Sequence, residues 1–232
     1  MSMFKKLILL GRPASGKSEF IDFLKNTPEK ERAQNYHIGP FKVLDDFLWL
    51  WEKFKEDDLW ETAGHPRRYS KTAEHGYVVT DSALLDLCFE KFNDTIPKLM
   101  KPEGTLFIEF SRGSGDGGYR YALNRLSDEA LKDAAILFLW NTYEESVRRN
   151  EVRYQEKLKH TVLAHKVPDE DMIRFGKKID WLDLTGGKPS GILQVRSHKI
   201  PFITMDNMPE LTERPVLETR YKTALDQLMM LY

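Results

Sequence analysis

Apolar residues in this chain come in two arrangements. Short, largely apolar runs occupy 6–10, 105–110, 135–140 and 201–205, and a less regular one lies within 36–43. Short runs without polar alternation predict strands covered on both faces, as in a parallel sheet. Between them, apolar residues return at helical spacing. Leu44, Phe47, Leu48, Trp51 and Phe54 make one such face; Leu84, Leu85, Cys88, Phe89, Phe92 and Ile96 make another, behind an N-cap candidate at Asp81-Ser82. Residues 217–231 read as a closing amphipathic helix. Strands alternating with helices predict an α/β fold of three layers, a five-stranded parallel sheet with helices on both faces.

Three stretches interrupt the periodicity. Residues 55–80 are polar, aromatic and irregular, and are expected to form an insertion over the second strand. Residues 155–178 are rich in charge and broken by Pro168, and Gly186-Gly187-Lys188-Pro189-Ser190-Gly191 reads as a loop into the last strand. No internal repeat or low-complexity tract is present. A length of 232 residues suits a single domain, 1–232, carrying the 55–80 insertion.

Composition changes this picture little. A hydrophobic content of 41% supports a sizeable core, and a formal net charge of -1 gives no general attraction to nucleic acid or anionic membrane, so neither is expected as a partner. Cys88 is the only cysteine, which suits a reducing compartment. Behind Met1-Ser2-Met3-Phe4-Lys5-Lys6 the apolar run is too short for a signal peptide core or a membrane span, and a cytoplasmic location is expected.

The candidate chemistry begins where the first strand ends. Gly11-Arg12-Pro13-Ala14-Ser15-Gly16-Lys17-Ser18 has the spacing G-x-x-x-x-G-K-[ST] between a predicted strand and a helix-compatible stretch, 17–25. A phosphate chain needs several converging N–H donors. Glycines let the backbone bend around it, and the following helix turns its positive end inward. Gly11, Ala14, Ser15, Gly16, Lys17 and Ser18 are therefore the candidate triphosphate site, with Lys17 on the β/γ-phosphates and the Ser18 hydroxyl on Mg²⁺. ATP and Mg²⁺ are the cofactors this implies. An ordinary glycine turn is the competing reading.

Two further features complete a phosphoryl-transfer set. The run 105–108 leads into Glu109, a candidate to face Mg²⁺, the alternative being a surface acid at a strand end. Asp45 and Asp46 follow the second predicted strand, where an acceptor would sit. A carboxylate there can take the proton of an attacking hydroxyl, or simply cap the helix that begins at that point. The residues alone do not choose between the two. Arg67, Arg68 and Lys71 are candidate anion contacts or a solvated loop. The run 113–118, rich in glycine, is expected to be a mobile linker. His160 and His165 lack metal-ligand spacing.

With Gly11 to Ser18, Ile108-Glu109-Phe110-Ser111-Arg112-Gly113 and Arg148-Arg149-Asn150-Glu151-Val152-Arg153, the chain resembles the nucleoside and nucleotide kinases related to adenylate kinase. The family usually has Asp-Gly where this chain has Glu109. The resemblance implies that Arg112 grips the acceptor, the alternative being a structural ion pair. It implies that 148–178 form a lid whose Arg149 and Arg153 close on the γ-phosphoryl group, against a solvated helix with Glu145–Arg149 pairing. It also implies that Asn207 contacts the nucleotide base, against an ordinary turn.

The sequence thus predicts a Mg·ATP-dependent kinase acting on a small-molecule acceptor, more readily a hydroxyl than a phosphate, because two acids rather than arginines stand at the acceptor position. A nucleoside monophosphate kinase and a non-catalytic nucleotide-binding regulator are the alternatives. Asn141-Thr142-Tyr143-Glu144 stands where a GTPase would carry Asn-Lys-x-Asp. Oligomeric state is not readable from the sequence.

Overall fold

A computed structural model describes residues 2–99, 103–161 and 164–232. Met1 of the N-terminal segment, and Val162 and Leu163 of the expected lid, lie outside the described residues. In chain order the elements are β1 (Lys6–Gly11), α1 (Lys17–Lys25), α2 (Glu29–Tyr36), β2 (Phe41–Asp45), α3 (Asp46–Thr62), β3 (Ser70–Ala73), β4 (Gly76–Val79), α4 (Ala83–Leu99) and β5 (Thr105–Phe110). They continue with α5 (Gly118–Arg125), α6 (Asp128–Leu131), β6 (Ala134–Trp140), α7 (Tyr143–Leu158), α8 (Asp169–Met172), α9 (Trp181–Thr185), β7 (Ser190–Val195), β8 (His198–Asp206) and α10 (Arg214–Met229).

The architecture is mixed α/β. The central sheet has six strands, not five, in the order β2-β5-β1-β6-β8-β7. Five are parallel, and four of these fall on the predicted runs 6–10, 105–110, 135–140 and 201–205; the fifth, β2, lies later than the 36–43 expected for it, because α2 continues to Tyr36, and it takes in Leu44 from the expected helical face. The sixth, β7, lies antiparallel to β8 at the edge. β7 escapes sequence reading because Ser190, Ile192 and Gln194 are exposed and Gly191 interrupts the apolar pattern. Strands β1 and β5 are buried at every position, which is what continuous apolar runs require.

Alternate side chains of β1 feed two cores. Ile8 and Leu10 pack with Phe89 and Phe92 of α4, Tyr119 of α5 and Trp181 of α9. Leu7 and Leu9 face the other way, toward Phe20 and Leu24 of α1 and Tyr221 and Leu225 of α10. Helices therefore cover both faces of the sheet.

The insertion is more ordered than its composition implies. Residues 55–62 prolong α3, and β3 and β4 form an antiparallel hairpin. Asp57, fully buried, holds the entry to that hairpin by accepting from the backbone N–H groups of Arg68, Tyr69 and Ser70 and from the Ser70 hydroxyl. The run 113–118 is a docking element instead of a mobile linker. A side chain at Gly113 would collide with the Arg174 carbonyl, and Asp116 takes a bidentate ion pair from Arg174. Among the described residues no helix is long and apolar enough to cross a membrane.

Candidate functional site

The parallel strands end on one side of the sheet, and their last residues assemble the site. The turn after β1 bends tightly. Any side chain at Gly11 would strike Ser15 and the Leu139 carbonyl, and Gly16 enters α1 at φ 103°, where a Cβ would meet Asn207. Ala14 also takes a left-handed conformation, φ 55°. Lys17, the first residue of α1, folds its ammonium back beneath this turn. It donates to the carbonyls of Gly11 (3.3 Å) and Arg12 (3.1 Å) and to Ser111 Oγ (2.8 Å). Ser18 is exposed beside it. Arg12 anchors the turn from below, donating to the carbonyls of Asn141 and Gly176.

Asp45 and Glu109 stand side by side because β2 pairs with β5 in a register that matches them. Burial, set against the nearby Lys17 ammonium, pushes the Glu109 carboxyl up to about 8; burial and the Asp46 charge push Asp45 up to about 6. Burial lowers Lys17 in turn, opposed by Glu109, Asp45 and Asp46. Burial is thus the main effect on the two carboxyls and on the ammonium alike, and a cation bound by the acids would favour their ionised forms. Ser18 and Glu109 supply oxygen donors of the kind Mg²⁺ takes, so their chemistry fits that ion. Among the described residues no group of three or more His, Cys, Asp or Glu is assembled as a metal cluster.

Asp45 and Asp46 have separate duties that the sequence leaves joined. Asp45 caps α3 by accepting from the Phe47 N–H at 2.9 Å. Asp46 is buried against Arg112 at 2.6 Å, with side-chain exposures of 7% and 2%. The Arg112 guanidinium lies over the Phe89 ring, 4.7 Å from its centroid, and its Nε and Nη2 have no hydrogen-bond partner among the described residues.

The expected lid cations divide as well. Arg149 is buried and committed to Glu145 (2.7 Å) and the Asn207 carbonyl (2.7 Å), so it stiffens the base of α7. Arg153, one turn on, lines the cavity and reaches Glu19 at 3.4 Å; Lys157 lines it too. Asn207 donates through Nδ2 to the Ser15 carbonyl and accepts from Arg220, which braces the glycine turn from behind. Arg67 is spent on Asp58 and Glu61 and Arg68 lies over Trp60, all within the insertion, while Lys71 ties the insertion to Glu170 of α8.

A cavity of about 240 Å³ runs from Lys17, Asp45, Glu109 and Arg112 to an aromatic end made by Phe47, Trp51, Phe54 and Tyr77. The segment 165–168 and Asp171 close its far wall. His165 stacks on Trp51 with centroids 4.3 Å apart and planes 27° apart. Sequence reading identifies the apolar face of α3 but not that it lines a cavity. It misses Asp171 altogether, since Asp169-Glu170-Asp171 reads as a solvated acidic turn. Cys88 lies in the α3–α4 core, where burial pushes its thiol up to about 12.

No protein-family model matches the chain, and no curated protein matches it. Among solved structures, a chain from Chloroflexus aurantiacus J-10-fl provisionally described as a kinase is 13% identical, with 98% of each chain covered and a TM-score of 0.43. A sugar kinase from Janibacter sp. HTCC2649 is 13% identical over 97% of this chain and 95% of that one, TM-score 0.39. TT1252 from Thermus thermophilus is 15% identical with both chains fully covered, TM-score 0.46. At such scores the likeness carries no argument about activity; the chain's own residues have to carry it.

Proposed function

We propose that this protein is a phosphotransferase that moves the γ-phosphoryl group of ATP, as its Mg²⁺ complex, to a hydroxyl of a small molecule. The observation that carries the reading is the meeting, at one cavity mouth, of a glycine turn with its lysine and of two carboxylates from adjacent strands. A turn and a lysine suffice to bind an anion; the acids beside them call for a cation and a proton acceptor as well.

In this reading the N–H groups of residues 11–18 cradle the triphosphate, and Lys17 exchanges its carbonyl partners for phosphate oxygens. Ser18 and Glu109 would hold Mg²⁺, which supplies charge neutralisation on the phosphate oxygens. Asp45 receives the acceptor's proton. Its carboxyl, pushed up to about 6, is ionised at neutral pH yet basic enough to take a proton. Asp46 orients Arg112, whose unpartnered N–H groups bind the acceptor. Arg153 and Lys157, which line the cavity, take the transition-state role that the family resemblance assigns to Arg149 and Arg153, because Arg149 is engaged elsewhere.

The test is Mg·ATP turnover against nucleosides, nucleoside monophosphates, sugars and aminoglycoside-like hydroxyl compounds, with Lys17→Ala as the blank. Lys17-dependent phosphorylation of a hydroxyl compound is the expected result, with at least a 100-fold fall in the variant. Tight ATP binding with no acceptor turned over would support a nucleotide-binding regulator instead.

A further inference from the structure

At the end of the cavity away from Lys17 there is an acid without an evident task. Asp171 is 4% exposed. Its Oδ2 accepts from the Val79 N–H at 3.3 Å, while Oδ1 has no hydrogen-bond partner among the described residues, although the residue lines the cavity. Leaving a buried carboxylate oxygen unpaired is costly, and folds seldom keep such an atom without use for it. Burial pushes this carboxyl up to about 6, against the pull of the Val79 N–H and of Arg174.

The walls around it suit a flat ring. Trp51 already carries one, the chain's own His165 imidazole, face to face at 4.3 Å. Phe47 lies nearly parallel to the same imidazole at 16°. An organic cation suits the place less well. Arg174 acts on Asp171 through its charge, and Lys166 lines the same far wall. A second cation entering there would meet like charge, whereas a neutral N–H would meet a free acceptor.

We infer that this end of the cavity selects a flat ring carrying a neutral N–H donor, which Asp171 Oδ1 accepts while Trp51 stacks on the ring. Asp171 is then the residue that sets specificity, and the acceptor bears such a ring in addition to its hydroxyl. The inference rests on the proposed function in taking this cavity as the acceptor site, but ring binding itself requires no nucleotide.

Ligand-observed NMR titration of the full chain, without nucleotide, tests it with indole and benzofuran, which differ in presenting N–H or oxygen at one ring position. Isoquinoline, butylammonium and glucose complete the panel. Indole is expected to bind about 10-fold more tightly than benzofuran. Asp171→Asn keeps the acceptor facing Val79 and turns an N–H toward the cavity. It should erase the indole preference and favour isoquinoline, a reversal that a merely structural role would not produce. Trp51→Leu should weaken all three rings together. Equal binding of indole and benzofuran by the native chain overturns the proposal, as does an indole preference that survives Asp171→Asn. Binding of butylammonium or glucose with no ring binding overturns it too. Since no triphosphate is present, failure of the Lys17-dependent turnover would leave these results standing, and the reverse holds equally.

Discussion

Asp46 and Arg112 join the packing of the fold to the chemistry proposed for the site. Their ion pair is almost wholly buried, and removing one partner strands the other charge in a medium that cannot solvate it. Arg112→Met should cost about 3–5 kcal/mol in urea unfolding. Replacing both, with Asp46→Leu added, should recover most of that loss, because a well-packed apolar pair commonly matches a buried ion pair. Turnover should not recover in the double variant, since the acceptor's N–H donors are gone. Recovery of both would show the pair to be structural only. At this scale the sequence is most legible where a motif fixes spacing, as from Gly11 to Ser18. It is least legible where burial decides the role. Arg148 and Arg149 are neighbours of identical chemistry, yet helix geometry turns Arg149 into the protein and leaves Arg148 half exposed.

Among the elements, the β3–β4 hairpin is the one most dependent on a single side chain. Its strands are four residues each, and Ser70, Lys71 and Thr72 offer no apolar face of their own. Asp57 compensates by gathering three backbone N–H groups and one hydroxyl. We expect Asp57→Ala to expose the amides of 70–79, lowering their hydrogen-exchange protection about 100-fold while β1, β5 and β6 stay protected. Uniform loss of protection would mean that the hairpin and the sheet unfold as one unit. Because Tyr77 and Val79 of this hairpin line the cavity, ring binding should weaken in parallel. The hairpin is hidden from sequence analysis because β3, Ser-Lys-Thr-Ala, lacks a strand pattern and the strand-like Tyr77-Val78-Val79 of β4 is too short to stand out alone. The helix α2, Glu-Lys-Glu-Arg-Ala-Gln-Asn-Tyr, is hidden too, since only Arg32 and Tyr36 are buried. The strands β1, β5, β6 and β8 are plain in the sequence because both of their faces are largely covered, whereas the edge strand β2, with only Leu44 buried, is the faint one.

Across the whole molecule, the acids are tuned in opposite directions, and this shapes the response to pH. Burial alone would raise Asp58, but hydrogen bonds from Lys55, Tyr77 and Arg67 pull it down to about 2. Arg148, and then Arg149 against the opposing effect of burial, hold Glu145 down to about 2. A carboxyl held below its ordinary value stabilises the fold fully above that value, and the contribution is lost as pH falls through the native one. The acids raised by burial, Asp45, Glu109 and Asp171, behave oppositely. Their ionisation weighs against the fold as pH climbs from about 4 toward 6 for the two aspartates and toward 8 for Glu109. Unfolding free energy should therefore peak near about pH 4, fall below it toward pH 2, and fall again toward pH 8, more steeply below about pH 6, where all three raised acids contribute, than above it. Chemical denaturation across that range checks it, and a maximum at or above pH 8 would contradict it.

The acids also owe their places to the edge position of β2. This strand pairs with β5 alone, and five ladder positions from Phe41 to Asp45 set Asp45 opposite Glu109. Because side chains alternate between the faces of a strand, deleting or inserting one residue just before β2 would carry Asp45 to the opposite face. The approach to the hairpin carries no such constraint: Gly64 has open space around it, and doubling a loop adds only about 0.6 kcal/mol of closure entropy. Descendants of this chain are thus free to vary in length near Gly64, while the residue count from Gly39 to Asp45 is inherited intact.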